Sequence, residues 1–353
     1  MDLSDIKLLA SKNIDLNKTR YYSDNIPDPL EVDKRSSFPR KIYWYYKNMF
    51  LQKKLFGKIE ALRKNLDIKV FIGVFSGVLP LTFYLFDSPR RAGVIYSNMD
   101  SWFVDVHRDM KKLWYRKYYS FNNAIENSDA VDFLSPFILE GIRDRGIKID
   151  DNRAFISPCS FVDYSKCLVG DKNDIEIAFA SRLEPDKNPI MFLEAATVIS
   201  KEFPDVKFHL LGEGILAFDI EKYINEHNLN KVVNFCFHKN PPDVFKNTSI
   251  FVSLQSGTNY PSQSILEAMA CENAIIASNK GDTGLFINDK NGVLINLNAG
   301  ELISSIRSLI TNKDHTKALG TYARNFALEN HNIERFVDYY IKLIEKVASK
   351  SLG

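Results

Sequence analysis

The sequence predicts an α/β protein built from two doubly wound parallel-sheet domains. Its 353 residues are long for one domain and comfortable for two. Apolar runs of strand length alternate with helical patterns, and such alternation builds a parallel sheet covered on both faces. A composition of 45% hydrophobic and 25% charged residues is that of an ordinary soluble globular chain. Collagen-like and disordered classes are thereby excluded.

Taken in order, residues 3–10 read as a helix and 14–22 as a strand. Further strands are expected at 70–75, 92–96, 130–134 and 154–157, with helices at 105–126 and 136–145 between them. Residues 70–86 are uncharged for 17 positions, at the short limit for a membrane span. Gly73, Ser76, Gly77, Pro80 and Thr82 interrupt them, and the first half is β-branched and aromatic. A buried strand, a glycine turn and a short buried helix describe that segment better. Polar residues 163–173 mark a domain boundary. Beyond it, strands are expected at 175–180, 207–211, 232–235, 250–254 and 274–277, separated by helices at 189–201, 218–227, 262–271 and 301–310. A last helix, 333–349, carries Phe336, Val337, Tyr340, Ile341, Leu343, Ile344 and Val347 on one broad apolar face. The expected domains are 1–165 and 166–330, with 331–353 as a C-terminal helix returning to the first.

Charge is uneven along the chain. Residues 1–170 hold 27 Lys and Arg against 21 Asp and Glu, a net of +6, and the remainder nets −4. A basic front half suits an anionic acceptor or membrane headgroups, and equally a plain solvated surface. Aromatic-cationic stretches at 43–47 and 111–119 fit either interfacial membrane contact or half-buried aromatics with solvated cations. No recognised nucleic-acid module accompanies them, and nucleic acid is not an expected partner. The four cysteines form neither a Cys-x-x-Cys pair nor a pattern with histidine, so metal and disulfide frameworks are not expected. The opening Met1-Asp-Leu-Ser-Asp lacks the basic start and apolar core of a signal peptide, which fits the cytoplasm.

Ligands in doubly wound sheets sit at the carboxyl ends of the strands. Arg182, Gly212, Phe237 and Asn259 all follow such ends and can converge there. The most informative stretch runs from Asn259 to Asn273: an apolar strand, a polar loop, then a helix beginning near Ser262. Helix N-termini bind anions through unpaired N–H groups and the positive end of the dipole. Glu267, a turn and a half into the helix, can accept sugar hydroxyls. Gly212-Glu-Gly214 lets backbone approach a ligand closely, but the acidic residue of a dinucleotide fingerprint is missing about 20 positions on. Phe237 suits either stacking on a base or a plain core aromatic, with His238 beside it.

The 259–273 stretch resembles the nucleotide-sugar motif of family-4, group 1 type retaining glycosyltransferases. There two glutamates flank seven residues before Ala-Met-Ala; here Glu267 is the second, and Asn259 replaces the first. Arg182-Leu-Glu-Pro-Asp-Lys187-Asn188 similarly resembles that family's Arg-Leu-x-x-x-Lys-Asn motif. The resemblance implies the GT-B fold, two Rossmann-like domains facing a cleft, with a first domain shortened at its N-terminus because the usual opening strand and glycine loop are not seen. It implies transfer of a sugar from a nucleotide-diphosphate donor to a glycan or lipid-linked acceptor, with retention, in cell-surface polysaccharide or glycoconjugate synthesis.

In that scheme Arg182, Lys187 and Asn259 act at the reacting centre. Arg182 and Lys187 stabilise the departing diphosphate, and Asn259 contacts the donor sugar. Gly212, Gly214, Phe237, His238, Tyr260, Pro261, Ser262, Gln263, Ser264 and Glu267 surround the donor, Glu267 at the ribose. Asn98, Asp100 and His107 are weaker acceptor-side candidates. Residues 160–163 match an interdomain turn of the family. No cofactor and no metal are expected; peripheral contact with the inner membrane face is compatible with the basic helices. Three alternatives stay open: a homologue that binds donor without transferring it, a nucleotide-sugar epimerase on the same fold, and, remotely, a nicotinamide-dependent oxidoreductase.

Overall fold

The computed structural model describes residues 61, 63–65, 67–74, 92–98, 125–144, 146–158, 162, 164–260 and 262–351. The readings at 3–22, 43–47, 76–86, 105–124 and 160–161 fall outside these residues, as do Asp100, His107 and Pro261. The chain divides into two compact units, Met1–Ser157 with Val337–Gly353, and Pro158–Phe336.

The first unit contains a parallel sheet of four strands in sequential order: β1 (Val70–Val74), β2 (Gly93–Asn98), β3 (Ala130–Phe133) and β4 (Ala154–Ile156). Each expected strand from residue 70 onward is present. Alternation of side chains splits the sheet's apolar groups between two faces. Val94, Tyr96, Val131 and Phe133 pack with Ile138 and Ile142 of α1 (Pro136–Arg143). Ser135 caps that helix and Pro136 opens it, a favourable pairing for a first turn. Ile95 and Ala130 face the other way, against Leu343 and Val347 near the C-terminus.

The second unit holds a six-stranded parallel sheet. Its strands are β5 (Glu176–Ala180), β6 (Lys207–Leu211), β7 (Val233–Cys236), β8 (Ile250–Ser253), β9 (Ala274–Ser278) and β10 (Gly292–Ile295), in the order β10-β9-β8-β5-β6-β7. Its helices are α2 (Pro189–Glu202), α3 (Ala217–Glu226), α4 (Pro242–Phe245), α5 (Gln263–Ala270), α6 (Ala299–Thr311) and α7 (Lys313–Asn330). A final helix, α8 (Ile333–Ser351), passes into the first unit at Val337. Strand alternation again explains the two cores. Ile177 and Phe179 of β5 join one apolar cluster with Phe192 and Phe208, while Ala178 and Ala180 join the other with Ala268 and Met269 of α5. Small residues on that second face let α5 lie close to the sheet. The order reverses between β5 and β8, this sheet's topological switch point, and in open sheets of this kind ligands bind outside the carboxyl ends of such strands.

Three elements lie beyond the apolar-run reading, the one-turn α4 among them. Strand β10 is only four residues at the sheet edge, and α7 is too polar along its length to show a clear stripe.

Candidate functional site

The loops after β5 and β8 meet at the switch point. After β5, Arg182 extends into solvent, its side chain 73% exposed, with one guanidinium nitrogen 3.2 Å from Glu184 Oε1. A short 3₁₀ turn, Pro185–Lys187, then turns the chain at Asn188, whose φ of 53° puts it in the left-handed region that asparagine tolerates. Pro189 follows as the first residue of α2.

Lys187 is held differently from Arg182. Its side chain is mostly buried, with Nζ 2.7 Å from Gln255 Oε1 and 2.9 Å from Asp186. An ammonium has three donors, so one N–H remains after these two contacts. Asn188 ties the same loops together, donating to Leu254 O at 2.7 Å and Ser256 Oγ at 3.1 Å. Ser256 N in turn donates to Asp186 O. The two candidate cations thus stand on one stitched pair of loops, one fixed and one extended.

Helix α5 opens the far side of the β8 loop. Ser262 caps it, its hydroxyl accepting from Ile265 N and bonding with Ser264 Oγ. Gln263 is exposed at its first position, and Ser264 is half-buried. First-turn N–H groups have no intrahelical partner, so this end can take an anion. Tyr260, just before it, packs edge-on against Phe286. Glu267 lies half-buried on the helix, and its carboxylate accepts no hydrogen bond among the described residues. Burial pushes its carboxyl up to about 7, partly offset by the nearby Lys166 cation.

Asn259 is not placed at an open surface. It is 1% exposed, with Oδ1 accepting from Ser253 Oγ at 2.9 Å and Nδ2 donating to Ser278 Oγ at 3.1 Å. Its backbone N–H donates to Thr283 Oγ1. The expected contact with a donor sugar is therefore not available to this side chain as it stands, because its amide is consumed inside the loop. Ser253, Gln255, Ser278 and Thr283 are the partners sequence reading passed over. Gln255 and Ser278 do follow or end the apolar strand runs, which is the signal that selected Asn259.

The two glycines meet protein backbone. A Cβ on Gly212 would stand 1.9 Å from Ser181 O, and one on Gly214 2.5 Å from Leu183 O. What these glycines approach is the 181–183 backbone of the neighbouring loop, with Leu183 N bonded to Glu213 O and Leu216 N to Leu183 O. Their positive φ values, 150° and 157°, add to the demand for glycine. Phe237 is 62% exposed, which rules out a core aromatic. His238 beside it uses Nδ1 to accept from Asn240 N. Asn98 ends β2 in the first unit.

Among the described residues no group of three or more His, Cys, Asp or Glu is arranged to hold a metal ion, and no helix is long and apolar enough to cross a membrane.

Comparison with known proteins bears on this site. Residues 164–326, within the second unit, match the family described as glycosyl transferases group 1. The chain is 28% identical over 295 residues to a poly(ribitol-phosphate) alpha-N-acetylglucosaminyltransferase of Staphylococcus aureus (strain COL), covering 81% of this chain and 57% of that protein. It is 31% identical over 180 residues to the UDP-Gal:alpha-D-GlcNAc-diphosphoundecaprenol alpha-1,3-galactosyltransferase of Escherichia coli, covering 49% and 46%. The chain thus spans about half the length of the curated relatives it matches. A crystal structure of Anabaena Alr3699/HepE in complex with UDP superposes with a TM-score of 0.71 at 15% identity, covering 82% of each chain. Identity so low shows a shared fold, two parallel-sheet units of the GT-B type.

Proposed function

We propose that this chain, whose second unit carries the group 1 glycosyltransferase pattern, transfers a sugar from a nucleoside-diphosphate donor to a glycan or lipid-linked acceptor. The observation that carries the reading is the grouping at the switch point: Arg182, Lys187, the opening of α5 and the half-buried carboxylate of Glu267. The named activities of the relatives, one acting on poly(ribitol phosphate) and one on a diphosphoundecaprenol-linked sugar, favour a cell-envelope acceptor. A uridine nucleotide is the first donor to try, since HepE was crystallised with UDP.

In this reading the bond between the anomeric carbon and the diphosphate oxygen breaks, and its electron pair stays on the diphosphate. Arg182, Lys187 and the α5 N–H groups offset that charge as it develops. Lys187 and the N–H groups are fixed before reaction, which lowers the barrier, while Arg182 must swing in from solvent. The acceptor hydroxyl oxygen then bonds the anomeric carbon, and its proton passes to the departing diphosphate oxygen. Retention at that carbon is the course the family resemblance implies. Glu267, ionised, accepts the ribose hydroxyls, and Phe237 offers an exposed face to the base.

A thermal-shift screen of nucleoside diphosphates and their sugars tests the proposal. Ligand at 100 times its Kd stabilises by about 2.7 kcal/mol, a rise of several degrees. Arg182→Ala and Glu267→Ala should each abolish most of that rise. If no nucleotide in the panel raises the Tm, the proposal fails.

A second reading, donor binding without transfer, is favoured by the internal engagement of Asn259 where the family motif has a glutamate. Release of free sugar or transfer to an acceptor separates the two. Binding with no turnover under any acceptor tried would favour the second.

A further inference from the structure

We infer that Asn259 is a positioning residue for Lys187, acting through an uncharged hydrogen-bond chain in place of the direct donor contact its motif suggests. The inference rests on the donor-site reading above and concerns how that site is held. Asn259 Nδ2 donates to Ser278 Oγ at 3.1 Å, and Ser278 Oγ donates to Gln255 O at 2.7 Å. Gln255 Oε1 then accepts from Lys187 Nζ at 2.7 Å. Ser253 closes the other end, giving its hydroxyl proton to Asn259 Oδ1. The amide donates on one side, to Ser278 Oγ and more distantly to Ser253 O, and accepts on the other, a division of roles that a carboxylate cannot supply.

A carboxylate at this position would fit poorly. At 1% exposure it would be buried among Ser253, Ser278 and Thr283, with no cation bonded to it among the described residues. It would also have no donor to offer Ser278, whose own proton already goes to Gln255 O. Burying an unpaired charge costs more than the lost hydrogen bond alone. The motif's glutamate and this asparagine are therefore not interchangeable here. Asn259→Glu should weaken the site, opposite to a restoration of the family residue.

The chain also has a mechanical reason to matter. Lys187 uses Gln255 and Asp186 to fix its ammonium, leaving one N–H for a phosphate oxygen. The Asn188 side chain on Leu254 O and the backbone link from Ser256 N to Asp186 O keep the two loops in register. With the loops so tied, a shift at Ser278 moves Gln255 and with it the cation.

Competitive acetylation of the ligand-free full chain with acetic anhydride, read lysine by lysine by mass spectrometry, tests this without requiring a donor. In the wild type Lys187 should react more slowly than the exposed Lys201. Asn259→Asp and Gln255→Met should each raise the Lys187-to-Lys201 ratio several-fold. Asn273→Ala, which loosens the other end of α5, should leave it unchanged. If Asn259→Asp raises the ratio no more than Asn273→Ala does, the inference is overturned.

Binding supplies the second arm. Both test variants should weaken UDP about tenfold, as expected for one misplaced charged hydrogen bond, and leave uridine binding unchanged. Equal weakening of UDP and uridine would overturn the inference, since that pattern describes general damage to the site. Should the wild type bind neither, the donor reading falls, while the acetylation ratio still decides the role of Asn259.

Discussion

Glu267 carries a proton longer than an ordinary glutamate, since burial lifts it from 4.5 to about 7. The folded chain therefore holds that proton more tightly than the unfolded chain. This group's contribution to stability is greatest below pH 4.5, falls as pH rises from 4.5 to 7, and levels off above, by at most ~3 kcal/mol in total. Glu267→Gln should remove that slope. Urea denaturation at pH 5 and pH 8 should find the variant gaining on the wild type at the higher pH; a difference independent of pH would contradict the assignment. Nucleotide binding should move the opposite way, strengthening through pH 7 only in the wild type, because the ionised form accepts hydroxyls. Much of the site at this scale was legible from sequence: Arg182, Lys187 and the α5 opening lie on loops after strand runs, where the topology gathers them. Burial was not. Whether Asn259 faces a ligand or Ser253 and Ser278 depends on loop closure, and the glycines at 212 and 214 look the same in sequence whether a phosphate or the Ser181 and Leu183 carbonyls lie opposite.

Helix α5 is only eight residues long, too short to be stable without packing, yet the proposed donor site needs its first turn to hold still. Its carboxyl end supplies the hold. Lys172 Nζ donates to Cys271 O and Glu272 O at 2.7 and 2.8 Å, and Arg324 donates to Ala270 O. Cations at this end also complement the helix dipole. Asn273, fully buried, donates to Phe245 O and Ala268 O and accepts from Thr248 Oγ1 at 2.7 Å. Asn273→Ala would remove three buried hydrogen bonds, although Ala268 O keeps the backbone N–H of residue 273 and Thr248 Oγ1 keeps Phe245 O, at about 1–3 kcal/mol. Equilibrium unfolding should show that loss; one below about 0.5 kcal/mol would mean water replaces the amide. Sequence reading found α5 from its cap and apolar pattern, since both are local. It passed over α7, whose Gly320 lets that helix meet the Glu272 carbonyl, where a Cβ would stand 2.3 Å away. That contact is tertiary, and no local periodicity encodes it.

At the scale of the whole chain, α8 is the element that begins with one unit and ends with the other. Apolar periodicity announced the helix, with Leu343 and Val347 correctly among its buried residues. What fixes it in the first unit is polar. Asp132, fully buried on β3, accepts from the Tyr339 hydroxyl, from the Tyr340 hydroxyl at 2.5 Å and from Ser97 Oγ at 3.1 Å. Burial raises the Asp132 carboxyl, and these three hydroxyls work against that rise. No sequence pattern joins residue 132 to 339 and 340, because the pairing exists only once the helix has returned. Removing both hydroxyls leaves a carboxyl buried with Ser97 alone among these donors, so Tyr339→Phe with Tyr340→Phe should cost the first unit about 2–4 kcal/mol. Hydrogen exchange distinguishes this from global destabilisation. Amides of β2 and β3 should exchange faster in the double variant, while those of β5 and β8 keep their wild-type rates. If all four strands accelerate together, α8 couples the stability of the two units and does not serve the first alone.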